Sequence, residues 1–333
     1  MKKCLVSYDE VVSLENLLAA WEEFIRGKRS RLDVADFKRH LADQIIALHT
    51  DLVTGEYRHG GYDFFTVTDP KQRNIHKATV RDRLLHHALH RKLYPHFASK
   101  FIAGSFSCQV GKGLHRALES FKAMSGRVSR NNTSTCWFLK CDIRKFFDSI
   151  EHNILLKILK REIDDVMVAG LLSEIVKSFE TKQGCGLPLG NLTSQLLANV
   201  YMNEFDQFVK HRLRQKYYVR YADDFVFLSE SRSELLFLIP KISKFLAEQL
   251  CLKLHPKKIF LRTLHSGVDF LGWVHFPYHS LPRATTRLRI SRRSGIGMEP
   301  ATLQSYLGLL QHGDAFGLQQ EIENDAWLWM GCL

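Results

Sequence analysis

The chain has 333 residues, 45% hydrophobic and 25% charged, enough for a large core and two or three lobes. Its net charge of +12 and pI near 9.4 favour a polyanionic partner, and the basic residues run through the whole chain, which suits a long groove better than a basic tail. Seven scattered Cys without C-x-x-C, sixteen His without metal-finger spacing and no apolar run near the ~18 residues that span a bilayer exclude a disulfide scaffold, a zinc site and a membrane protein.

Met1-Lys2-Lys3 before Cys4-Leu5-Val6 is too short for a signal peptide, so an intracellular, cytoplasmic protein with reduced thiols is expected. Residues 11–53 read as two helices, from Leu14, Leu17, Leu18, Trp21 and then Phe37, Leu41, Ile45, Leu48, Leu52 at helical spacing. The basic run 26–31 joins them. Gly55, Gly60 and Gly61 then punctuate the chain, and 64–68 reads as a strand. Asp69-Pro70 turns it, and Lys71-Gln72-Arg73-Asn74-Ile75 returns as the second strand. Such a hairpin suits a triphosphate, because Arg supplies a bidentate fork and Lys a charge. On these residues alone a surface hairpin with solvated charges is the simpler reading.

A helix is expected from Val80 to about His96. Gly111-Lys112-Gly113 permits close approach of a phosphate but lacks the spacing of a P-loop. Residues 126–135 form a polar loop. Trp137-Phe138-Leu139-Lys140-Cys141-Asp142 reads as a buried strand ending in a carboxylate, an expensive place for a charge unless a metal or hydrogen bond meets it. Asp148 with Glu151 makes a plausible capping box for a helix around 150–161. A further helix covers 164–180. The glycine-rich stretch 184–195 starts another, which runs towards Leu213 and suits a nucleotide packed on backbone.

In residues 216–230, Tyr217-Tyr218-Val219 and Phe225-Val226-Phe227-Leu228 read as two strands around a tight turn carrying Asp223 and Asp224. Two fixed carboxylates near a third acid are what paired Mg²⁺ ions need for phosphoryl transfer. Taken alone, the pair is better explained by solvated acids at the tip of an ordinary hairpin. Residues 231–250 form an amphipathic helix, 252–260 a strand-like segment containing Pro256-Lys257-Lys258, and Asp269-Phe270-Leu271-Gly272-Trp273 a short strand and turn. The remainder is first basic (Arg283, Arg287, Arg289, Arg292, Arg293) and helical from about Pro300.

The order of these pieces resembles the reverse transcriptases over about residues 54–275. The resemblance implies an α+β right-hand polymerase fold: an N-terminal helical extension (1–53), fingers (54–135), a ferredoxin-like βαββαβ palm (136–275) and a short helical thumb (276–333). It implies that Asp142, Asp223, Asp224 and the Ile143 carbonyl bind two Mg²⁺. Lys71 and Arg73 would hold the triphosphate, Phe147 would exclude a 2′-hydroxyl, and Lys258 would serve the pyrophosphate. Tyr221, Phe270, Leu271, Gly272 and Trp273 would face the primer.

Within that family, Leu189-Gly190-Asn191-Leu192-Thr193-Ser194-Gln195 looks like the diversity-generating retroelement group, where most relatives have Gln first and Pro last. That likeness implies cDNA synthesis from a template-repeat RNA using dNTPs, error-prone opposite adenine at a pocket including Leu189, Gly190 and Gln195. It implies a small basic accessory variability protein as partner, in a bacterial host or phage setting. The sequence shows no sign of the maturase or His-Asn-His endonuclease regions of many group II intron proteins, so self-contained mobility is not expected. A retron or phage-defence reverse transcriptase keeps the same chemistry. A non-catalytic palm-fold binder would have no reason to keep three acids beside a phosphate backbone.

Overall fold

The computed structural model describes residues 3–68, 71–294 and 298–330. The expected turn at Asp69-Pro70 lies outside the described residues. The chain forms two compact units, each assembled from three segments: Met1–Gln109, Ile143–Arg214 and Lys241–His255 in the first, and Val110–Asp142, Gln215–Pro240 and Pro256–Leu333 in the second.

The first unit is mainly helical. Four helices, Tyr8–Val12, Leu14–Phe24, Leu32–Arg39 and Leu41–Thr54, replace the two expected before residue 54. Ser7 and Ser13 cap the first two, and Gly55 ends the fourth in a left-handed conformation. Trp21 and Phe24 are buried in the unit core with Leu84, Leu85, Leu89 and Leu93 of the helix Val80–Ala98. The helix Leu192–Gln207 is buried almost all round, and Tyr201 Oη donates to the Leu250 carbonyl at 2.7 Å.

A two-stranded antiparallel hairpin, β1 (Tyr62–Val67) and β2 (Arg73–Ala78), rises from this unit. Buried Asp82 ties its root: it accepts from Tyr57 Oη at 2.8 Å, Thr79 Oγ1 at 2.6 Å and the Gly60 N–H at 3.1 Å. Gly60 is needed there, because a Cβ would meet Asp82 Oδ2 at 2.7 Å. The capping box expected at Asp148 does not form. Asp148 lies in the short helix Phe146–Ser149, and Glu151 itself caps His152–Glu162 by accepting the Ile154 N–H at 2.7 Å.

The second unit holds a four-stranded antiparallel sheet of β3 (Trp137–Asp142), β4 (Tyr218–Tyr221), β5 (Asp224–Ser229) and β6 (Phe260–Thr263). Its order is β4-β5-β3-β6. With helices in the chain between β3 and β4 and between β5 and β6, this is the ferredoxin-like βαββαβ order expected from the sequence. In its core Tyr218 stacks on Phe227, and Phe225 packs against both, edge-on to Phe227. Pro256–Lys258 is a 3₁₀ turn rather than part of a strand, because proline supplies no ladder N–H; β6 starts only at Phe260.

A second, three-stranded sheet follows: β7 (Val268–Phe270), β8 (Trp273–His275) and β9 (Ser280–Pro282). The helix Leu114–Val128 places Phe121 against Phe270 and His275, with ring centroids 5.5 and 5.0 Å away. The basic segment after β9 is already helical over Ala284–Arg293, and Pro300–Leu310 and Phe316–Met330 complete the unit.

Candidate active site

In the second unit, the sheet register brings the acids together. Asp142 ends β3 directly opposite Asp224, the first residue of β5. Directly opposed residues of an antiparallel pair project from the same face. Tyr221 pairs with Asp224 across a two-residue turn, Ala222-Asp223, which sets the third acid beside the other two. Ala222 is left-handed, with φ of 56°, a conformation a non-glycine residue adopts only when held. Fully buried Arg220 holds it: Nη1 donates to the Ala222 carbonyl at 2.9 Å.

Burial pushes the Asp224 carboxyl up to about 7 from 3.8; the Lys140 ammonium opposes that rise, and Asp142 and Asp223 add to it. Lys140 Nζ lies 3.3 Å from Asp224 Oδ2, and Lys258 Nζ lies 2.8 Å from Asp142 Oδ2. Asp224 Oδ1 is buried with no hydrogen-bond partner among the described residues. Carboxylate oxygens alone are a hard donor set, suited to Mg²⁺. An orphaned buried carboxylate oxygen fits such an ion. Among the described residues no three His, Cys, Asp or Glu side chains form a ready-made metal cage. Asp142, Asp223 and Asp224 would supply only part of the oxygen shell of such an ion.

The residues expected to face a primer divide by burial. Phe270 and Trp273 are core side chains, 0% and 1% exposed, so neither ring reaches a nucleic acid. They set the β7–β8 turn, whose Leu271 and Gly272 are both left-handed, at φ of 52° and 88°. Leu271 and Gly272 in that turn and Tyr221 are half-buried.

Of the residues expected at a nucleotide, Lys71, Arg73, Phe147, Leu189, Gly190 and Gln195 belong to the first unit, whereas Lys258 belongs to the second. Leu189 and Gly190 meet β2: the His76 N–H donates to the Leu189 carbonyl at 3.0 Å. Asn191 completes the seam, its Nδ2 donating to the His76 carbonyl at 2.9 Å and its Oδ1 accepting the Ala78 N–H at 3.2 Å. Gln195 is half-buried in the first turn of the following helix. The Phe147 carbonyl accepts the Leu187 N–H at 2.9 Å, linking that aromatic to the same glycine-rich stretch. Arg73 begins β2, and Lys71 is exposed just before it. Ile143 is buried and bridges to Leu254.

Gly190 is the residue that lets the seam close. Its φ is 108°, and a Cβ there would meet Ile75 Cγ2 at 2.9 Å. Gly190→Ala is expected to destabilise the chain by about 1–3 kcal/mol and to speed hydrogen exchange at the His76 amide. Unchanged exchange at that amide would show that the turn and hairpin are not coupled.

Sequence reasoning missed Arg220, Asn191 and Lys140. Arg220 and Asn191 work on backbone carbonyls, which leave no spacing signature, whereas Lys140 is a diagonal strand neighbour. The alternation that puts Lys140 and Asp142 on one strand face was the available signal.

A profile of the family described as "Reverse transcriptase (RNA-dependent DNA polymerase)" matches residues 68–275, well over half of the chain. Protein YkfC of Escherichia coli is 24% identical over 272 residues, covering 70% of this chain and 71% of its own length. The group II intron-encoded protein LtrA of Lactococcus lactis is 29% identical over 145 residues, covering 42% of this chain and 23% of LtrA. Among solved structures, telomerases of Candida albicans (TM-score 0.51, 12% identity, 76% of this chain and 50% of that one) and Candida tropicalis (0.50, 11%, 73% and 60%) share the fold. The chain thus spans only a quarter to about 60% of LtrA and the telomerases. Among the described residues no helix is long and apolar enough to cross a membrane. With an α+β right-hand polymerase fold and a profile match across β2 to β8, the chain belongs to the reverse transcriptase family.

Proposed function

We propose that the chain copies a template-repeat RNA into cDNA for a diversity-generating retroelement, with errors concentrated opposite template adenine. The observation that carries the polymerase reading is the direct opposition of Asp142 and Asp224, with Asp223 in the adjoining turn. The narrower reading rests on the resemblance of Leu189 and Gln195 to the diversity-generating group, where the wider family's pattern would have Gln and Pro.

Bound Mg²⁺ would lower the pKa of the primer 3′-hydroxyl and neutralise charge at the α-phosphate. Asp142, Asp223 and Asp224 would hold the two ions, with the Ile143 carbonyl as a further donor. The hydroxyl then attacks the α-phosphorus and pyrophosphate leaves. Arg73 and Lys71 hold the triphosphate, and Lys258 serves the leaving pyrophosphate. Phe147 blocks a 2′-hydroxyl, so dNTPs are the substrates. Tyr221 and the Leu271-Gly272 turn steady the primer end. The net charge of +12 suits the backbone of the template–product duplex. A small basic accessory protein completes the cytoplasmic assembly.

Leu189 meets the hairpin through its backbone carbonyl, leaving its side chain free to differ from relatives without breaking the seam. An aliphatic group there removes a hydrogen-bonding partner and loosens selection around the nascent base pair. Leu189→Gln is expected to lower misincorporation opposite adenine several-fold, read by sequencing cDNA made on a defined RNA template. An unchanged error spectrum would remove Leu189 from the account. Accurate cDNA from the unsubstituted chain would point to a retron or defence enzyme.

A further inference from the structure

Lys140 is the residue at the acids that the expected reaction leaves without a task. It lies two residues before Asp142 on β3, so the two side chains share a strand face. Asp224 is opposite Asp142, which makes Lys140 its diagonal neighbour. The Lys140 side chain is only 11% exposed. Its Nζ has two oxygens to serve: Asp224 Oδ2 at 3.3 Å and the Asp269 carbonyl, to which it donates at 2.7 Å. The Phe270 ring centroid lies 6.0 Å away. Asp269 and Phe270 belong to β7, the strand leading into the Leu271-Gly272 turn. One ammonium therefore joins a carboxylate of the acid cluster to the hairpin that presents this turn.

We propose that Lys140 is a positioning residue that stands in for a divalent cation on Asp224 and yields that oxygen when the cation arrives, keeping its hold on the Asp269 carbonyl. A cation and an ammonium cannot share Oδ2 at contact distance, because like charges a few ångströms apart in a largely buried site repel strongly. The Asp269 carbonyl keeps one hydrogen-bond acceptor for the displaced ammonium, so leaving Asp224 does not leave it without a partner. In the cation-free chain the same contact keeps Asp224 beside Asp142 instead of letting the like charges spread. Lys258 on Asp142 is a weaker candidate for this task, since its side chain is 40% exposed and open to water.

The inference rests on the cation reading of the acids, and its test separates the two. Full-length protein is treated with an amine-modifying reagent across a Mg²⁺ titration, and the rate at Lys140 is followed by mass spectrometry. Mn²⁺ binding is followed in parallel by electron paramagnetic resonance. Released from its carboxylate, Lys140 is expected to react several-fold faster once the site is filled, while distant lysines do not change. Asp224→Asn should make Lys140 fast with or without Mg²⁺. Mn²⁺ bound through Asp224 with an unchanged Lys140 rate overturns the displacement alone. A chain that binds no Mn²⁺ at the acids overturns the cation assignment and the displacement with it.

Discussion

Replacing Asp224 with Asn is expected to lower primer extension by roughly 10³-fold or more, the scale of losing several kcal/mol of transition-state stabilisation. The same substitution is expected to stabilise the metal-free chain. Asp224 is mostly buried, faces two other acids, and has its pKa raised from 3.8 to about 7. A raised carboxylate pKa means that the folded chain binds its proton more tightly than the unfolded one. Stability from this group is therefore greatest at low pH, declines between about pH 4 and 7, and stays low above that. At pH 8 the ionised carboxylate costs about 2–4 kcal/mol, discounted for its partial exposure. The Asn variant should match the parent near pH 4 and melt several degrees higher at pH 8. Mg²⁺ should narrow that gap by stabilising only the parent. Equal melting temperatures at both pH values would mean that Asp224 is not under this strain.

Arg220→Ala is expected to cost about 3–5 kcal/mol of stability, through a cavity where a large buried stem was and a carbonyl left without its donor. Arg220 is 0% exposed and holds the left-handed Ala222 in the turn that positions Asp223. The turn is then free to relax towards ordinary dihedrals. Extension should fall through kcat more than through KM, because the acids rather than a substrate contact are displaced. Arg220→Lys keeps charge and most of the stem but loses the fork, and should recover part of the stability. Thermal melting with steady-state extension separates the effects. An alanine variant with normal kcat would show that the turn holds its shape unaided.

The legible parts of this chain were those with strong local pattern. β3 opens on the apolar run Trp137-Phe138-Leu139 and β4 and β5 are rich in Phe, Tyr and Val, and the expected strands fall close to the observed ones. The helices Val80–Ala98 and Arg232–Leu250 carry enough periodic apolar residues to be read directly. Short-range caps were harder. Ser13 restarts a helix after Val12 and His40 separates Leu32–Arg39 from Leu41–Thr54, both within stretches whose apolar spacing runs on, so four helices read as two. Glu151 rather than Asp148 begins its helix because Glu can accept the N3 amide itself. Among the site residues, the acids were visible because Asp at a strand exit is conspicuous. Phe270 and Trp273 were conspicuous too, but aromatic side chains beside a glycine turn fit a core as well as a ligand surface, and here they fill the core. Asn191 and Arg220 do their work on backbone carbonyls brought near by tertiary structure, which no spacing records.

The most direct measurement is primer extension by the full chain on an RNA template with Mg²⁺ and dNTPs, beside Asp223→Asn. The parent is expected to give cDNA, the variant none, and neither any product when Mg²⁺ is withheld. Product from the Asn variant equal to that of the parent would contradict that expectation.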